Sequence, residues 1–359
     1  MEDPRYKKLA EILVDYSTKV KKGETVVVSS GFDGLPLAKE IAKLCWERDA
    51  FPRTHFGDES LTYLRYKYSS KEALAREPLI DLYEMKHSDV WIGLMGSRNT
   101  NTLNNVDSEK IVISRKAAKK VYKERVRNTR WNLCCYSSTG MAQNAFMSLE
   151  EFEDFLFGAT LLDWEKLSKE MDPLVTLLTQ GKEVRLIGKE TDITLGIEGR
   201  KGLKSDGTKN MPGGEVFTSP VRTTVEGHIY FDFPARQVKQ VKDIRLWFKK
   251  GKVVKATASL NEDYLHQAMA TDKLSSSVGE LGIGTNYGIT KFIDNTLFDE
   301  KIGGTIHLAL GAGMKECGGD DRSAIHWDLI KDMREGGEIY IDGKLMQKDG
   351  KMLIKGWES

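Results

Sequence analysis

Apolar and polar positions follow two alternating periods through the first half of the chain. The stretch AEILVDYSTKV repeats its apolar residues at helical spacing, ETVVVSS is a short β-branched run, Pro36 to Trp46 returns to helical spacing, and DVWIGLMG reads as a second buried strand. Strands and helices in alternation predict a mainly parallel sheet with helices on its faces, an α/β domain of Rossmann-like type. Ser148 with Glu151 makes a capping box that opens a long helix through LEEFEDFLFGATLLDWEKLSKEM. Its expected end near Asp172 and Pro173 sets the domain boundary, giving domains 1–178 and 179–359.

From Glu183 onward the pattern turns to β. EVRLIGKETDITLGIEG, EGHIYFDFPA, DIRLWFKKGKVVKATASL and GEIYIDGKLMQKDGKML alternate apolar and polar residues and are joined by Gly, Asp and Lys turns. Only NEDYLHQAMATD and AIHWDLIKDMR carry helical spacing there. The second domain is therefore expected to be α+β, rich in antiparallel strands. No internal repeat interrupts this order.

A chain of 359 residues is long for one core and fits two domains. Lys plus Arg number 54 against 53 Asp plus Glu, a net charge of +1, so no global field gathers nucleic acid or an anionic membrane. The start MEDPRYKKLAEIL is charged and amphipathic, and no stretch approaches about 18 apolar residues, which predicts a soluble cytoplasmic protein. Cys45, Cys134, Cys135 and Cys317 form no C-x-x-C pair, and a bridge between the adjacent Cys134 and Cys135 would close a strained ring; reduced thiols are expected.

The candidate chemistry is scattered through the second half. In His326-x-Asp328, an extended backbone would project both side chains to one face, where they could grip one ion. His307 lies nineteen residues upstream in the apolar run GGTIHLALGAG; taken alone it reads as a core histidine bonded to a backbone carbonyl. Glu215 in NMPGGEVFTSP and Glu280 in SSSVGELGIGTN sit among glycines and apolar residues, where an unpaired charge costs several kcal/mol. Neither has a basic run beside it, which leaves a metal ion or a distant arginine as partner. Glu300 in LFDEKIGG is flanked by Asp299 and Lys301, compatible with a solvated turn. Two histidines and four carboxylates together have the composition of a two-metal hydrolase site. His55, His87, His228 and His266 lack such neighbours and read as structural. No G-x-S-x-G elbow, phosphate loop or H-E-x-x-H helix is present.

Taken in order, NMPGGEVFTSP, VEGHIYFDFPA, GELGIGTN, LFDEKIGGTIHLALG and SAIHWDLI resemble the thermophilic-type aminopeptidases, the metallopeptidase family of aminopeptidase T and aminopeptidase S, over essentially the whole chain. The resemblance implies an exopeptidase acting on peptides, with an α/β amino-terminal domain, a carboxy-terminal catalytic domain, two divalent metals (zinc, cobalt or manganese) and a homodimer. It places the metal ligands on Glu215, Glu280, Glu300, His307, His326 and Asp328; for a two-metal mechanism on these residues, Glu280 is the expected bridging carboxylate and Glu215 or a neighbouring carboxylate the expected general base. One departure stands out: the family's assisting tyrosine after HLALG is Met314 here, whose thioether cannot donate a hydrogen bond. Tyr287 or Tyr230 could substitute, or the chain is a catalytically weakened relative that binds metal and peptide. An iron-dependent ring-cleaving dioxygenase is a further alternative, disfavoured because a single iron needs open positions rather than six ligands.

Overall fold

The computed structural model describes residues 3–358. The chain forms two compact units, Met1–Leu161 with Gly207–Pro212, and Leu162–Asp206 with Gly213–Ser359. In the first, β1 (Thr25–Gly31), β2 (Phe51–Gly57), β3 (Val90–Met95), β4 (Arg130–Cys135) and the late β8 (Asn210–Met211) form one parallel sheet in the order β2-β1-β3-β4-β8. The apolar run of β1 buries Val26, Val27 and Val28, and the helix Leu35–Glu47 lays Leu37, Ile41 and Cys45 against the same core.

The second unit is antiparallel. β5 (Glu183–Gly188), β6 (Thr191–Gly196), β10 (Glu226–Phe231), β13 (Ile244–Lys249), β14 (Lys252–Thr257), β18 (Glu338–Ile341), β19 (Lys344–Lys348) and β20 (Lys351–Met352) make an eight-stranded sheet in the order β14-β13-β10-β6-β5-β18-β19-β20. β11 (Ala235–Arg236) and β12 (Gln240–Val241) form a short ribbon. The remaining sheet runs β17-β16-β15-β9-β7, from β7 (Leu203–Ser205), β9 (Glu215–Thr218), β15 (Val278–Gly284), β16 (Thr305–Gly311) and β17 (His326–Asp332). Every residue of β15 and β16 is buried. Both halves thus have the expected fold class.

Three expectations need correction. The capping box of Ser148 and Glu151 is present, but its helix stops at Thr160; a new helix, Trp164–Gln180, starts where the Asp163 side chain accepts from the Lys166 amide. Pro173 lies inside that second helix: a proline removes one amide donor, and burial of Met171, Leu174 and Leu178 carries the helix past it. The boundary accordingly falls at Leu161, in the true break between the helices, instead of at 178. The helical spacing of AIHWDLIKDMR is overridden as well, because β16 pairs with it from Thr305↔Asp332 to Gly311↔His326 and makes it a strand.

Candidate metal centre

All six expected ligands lie in the second unit. The strand register puts five of them on one face of the β17-β16-β15-β9-β7 sheet: Glu215 opposes Gly284, His307 opposes Gly282, Ala309 opposes both Glu280 and Asp328, and Gly311 opposes His326. The face is bowl-shaped in composition, with Gly282, Gly284, Ala309 and Gly311 between the functional side chains. At Gly282 this is obligatory, since a Cβ would stand 2.0 Å from Cε1 and 2.4 Å from Nε2 of His307. Glu300 follows the short helical turn Thr296–Asp299, on the segment leading into β16.

The two histidines are aimed by their backbone bonds. Nδ1 of His307 lies 3.1 Å from the Glu300 carbonyl, and Nδ1 of His326 lies 2.9 Å from the Ala312 carbonyl. A proton on each Nδ1 leaves Nε2 directed at carboxylates, the arrangement typical of a ligating imidazole. His307 Nε2 is 3.8 Å from Glu215 Oε2 and 3.9 Å from Glu280 Oε1; His326 Nε2 is 3.4 Å from Glu280 Oε2 and 3.3 Å from Asp328 Oδ1. Among the described residues, Glu280, His307 and Asp328 each bring a ligand atom within 4.8 Å of the others. His307 is buried, whereas the His326 side chain is 36% exposed and marks the open end of the cluster.

Lys301, noted above only as a neighbour of Glu300, is the unexpected member. Its side chain has 0% exposure; Nζ donates to the Leu297 carbonyl at 2.9 Å and to Glu300 Oε1, and lies 3.6 Å from Glu215 Oε1. The turn around Glu300 is therefore not solvated: Asp299 is buried too, its carboxylate accepting from the Ile293 and Asn295 amides. The nearby cation foreseen as a metal or a distant arginine includes a lysine one residue from Glu300.

Burial dominates the electrostatics of Glu215, pushing its carboxyl up to about 8 against the pull of Lys301. For both histidines burial opposes the charge, but the surrounding carboxylates win, chiefly Glu280 for His307 and Asp328 for His326, raising them to about 10 and about 9. Asp328 goes the other way: burial would raise it, yet the His326 and His307 imidazoles hold it down at about 2. Burial would lower Lys301, and Glu300 with Glu215 more than offset it, so the ammonium stays charged.

The donor set fits divalent cations. It offers imidazole nitrogen and carboxylate oxygen, and Asp328 Oδ1 is buried without a hydrogen-bond partner. The raised histidines also set a sign: below about 9 the metal-free cluster holds protons that ligation must expel, so acid competes with metal. Metal uptake by the stripped protein at pH 7 to 8 is expected to release about two to three protons, from the two histidines and in part from Glu215, and to tighten with rising pH. Calorimetry in buffers of different ionisation enthalpy reads this directly, and pH-independent uptake without proton release would contradict the ligand assignment.

The buried cluster of nitrogen and oxygen donors, on an antiparallel sheet in a chain that also carries an α/β unit, has the chemistry of a metal-dependent hydrolase. The chain belongs to the thermophilic metalloprotease family: the family model described as "Thermophilic metalloprotease (M29)" matches residues 2–354. The resemblance drawn from the motifs is thereby borne out. Aminopeptidase 2 of Geobacillus stearothermophilus is 25% identical over 394 aligned positions, covering 96% of this chain and 94% of that protein. Aminopeptidase T of Thermus thermophilus is 25% identical over 350 positions, covering 86% of this chain and 85% of the relative. The solved structure of wild-type AmpT from Thermus thermophilus matches with a TM-score of 0.85 at 21% identity, over 98% of this chain and 99% of that one, which shows a common fold.

Proposed function

We propose that the protein is an aminopeptidase whose cluster Glu215, Glu280, Glu300, His307, His326 and Asp328 holds two divalent ions, zinc, cobalt or manganese. The observation that carries this reading is the placement of Glu280: one carboxylate oxygen faces His307 and the other faces His326, as a bridging carboxylate requires. Bound there, divalent ions supply a hydroxide near neutral pH and polarise the scissile carbonyl. Glu215 or a neighbouring carboxylate of the cluster is assigned the role of general base, taking the proton of the attacking water and passing it to the leaving amine. Beside His326 and Asp328 opens a cavity of about 230 Å³, walled in part by Phe292 and Ile330 and bordered by the Arg236–Asp294 ion pair. That is below the ~300 Å³ at which drug-sized pockets begin, and it suits one amino-acid side chain.

Hydrolysis of a leucine chromogenic anilide by chelator-stripped protein, with metal titrated back, tests the proposal. Activity is expected to return as about two equivalents bind and to vanish on the amino-acetylated anilide. Two bound metals without turnover would leave a metal- and peptide-binding relative instead. One feature favours that second reading: the Tyr287 hydroxyl donates to the Gly350 carbonyl and the Tyr230 hydroxyl to Asp243, so both substitutes for the missing tyrosine are engaged elsewhere. Met314→Tyr is accordingly expected to raise kcat by about tenfold or more; an unchanged kcat would show that another donor already serves.

The same reading includes a cytoplasmic homodimer. Cys45, Cys134, Cys135 and Cys317 are buried and none of them is in a disulfide, as a reducing compartment allows. Among the described residues no helix is long and apolar enough to cross a membrane.

A further inference from the structure

Lys301 stands where a divalent ion would compete with it. Its ammonium takes Glu300 Oε1 as a direct partner and faces Glu215 Oε1 at 3.6 Å, so the two carboxylates at this end of the cluster already share a cation. At the opposite end no lysine among the described residues is bonded to the carboxylates: His326, Glu280 and Asp328 converge there, so an incoming ion meets an imidazole that can itself become a ligand, and Asp328 Oδ1 lacks a hydrogen-bond partner. The Lys301 backbone is fixed on both sides, its amide donating to the Phe298 carbonyl at 2.9 Å and its carbonyl accepting from the Asn286 amide at 3.0 Å. Any yielding to a second ion must come from the side chain. Its ammonium would have to leave a fully buried position, or stay and repel the ion at short range through a medium of low dielectric.

We propose that Lys301 is a built-in cation that makes the two metal positions unequal: the Glu280–His326–Asp328 end fills first, and the Glu215–Glu300 end, which His307 faces at 3.8 Å from Glu215 Oε2, accepts a second ion only against the ammonium. This rests on the metal-centre reading above and adds an order of loading to it. On this account Glu300 serves the resting site as the counter-ion of Lys301 and ligates only in the fully loaded form.

Titrating the metal-free full chain with Mn²⁺ by calorimetry, while electron paramagnetic resonance separates isolated from coupled ions, tests the inference without any activity measurement. The wild type is expected to bind one ion, then a second at least about tenfold more weakly. Lys301→Met should tighten the second step by about tenfold or more and leave the first within about threefold. Two equal steps in the wild type, or an unchanged second step in Lys301→Met, would overturn the inference while the metal centre stands. Should Lys301→Met fail to fold, Glu300→Gln decides: the first step should be preserved there and lost in Glu280→Gln, and equal losses in both would overturn the assignment. A wild type that binds no Mn²⁺ at all would remove the metal centre and this inference together.

Discussion

Glu280→Gln is expected to lower kcat/KM on an aminoacyl anilide by at least about 10³-fold, ~4 kcal/mol of barrier at 1.36 kcal/mol per tenfold, and to lose metal in the same step. Glu280 presents one oxygen to each of the two histidines, at 3.9 Å for His307 and 3.4 Å for His326. An amide keeps the size of the carboxylate and gives up the charge and one acceptor, so the strand should still form. The decisive comparison is metal-induced stabilisation: in wild type, excess metal should raise the melting temperature by mass action, and in the variant this rise should largely disappear. A variant with full metal content, a wild-type melting shift and wild-type turnover would remove Glu280 from the centre.

The second large effect comes from a residue that touches no metal and carries no side chain. Gly282→Ala places a methyl 2.0 to 2.7 Å from three atoms of the His307 ring, which is itself tied at Nδ1 to the Glu300 carbonyl. The ring has to turn, and Nε2 leaves its position between Glu215 and Glu280. Overpacking of this kind costs ~1–3 kcal/mol of stability, and misplacing a catalytic group costs on the order of 10²-fold in rate. Activity and metal affinity should therefore both fall by about that factor with every ligand still present. Equal activity and metal content in the variant would show that the observed His307 orientation is not the working one.

The fold class could be read from the chain because it rests on local periodicity: β-branched runs between helical segments in one half, alternating strands in the other. Glu215 and Glu280 stand out in the chain for a local reason too, since carboxylates among glycines and apolar residues ask for a cation. What could not be read was whatever depends on partners far along the chain. AIHWDLIKDMR keeps a helical spacing that only pairing with β16 converts into a strand, and that pairing decides for the extended His326-x-Asp328 geometry over the helical one. Lys301 looked like half of a surface turn because its burial depends on Glu215, 86 positions earlier by number (301 − 215), whose carboxylate lies 3.6 Å from its ammonium. Gly282 lies in a glycine-rich stretch, and only the register reveals that it leaves room for the His307 imidazole on the neighbouring strand.

The short strand β8 has a consequence for the order in which the protein can be made. Its pairing with β4, through Leu133↔Asn210 and Cys134↔Met211, belongs to the amino-terminal unit, yet the ribosome delivers it only after a further helix and three strands. Until residue 212 has emerged, the growing parallel sheet offers β4 as a bare edge, open to wrong partners. A polypeptide stopped at Leu161 would keep that edge permanently, so the amino-terminal half is not a separable module even though its core is its own.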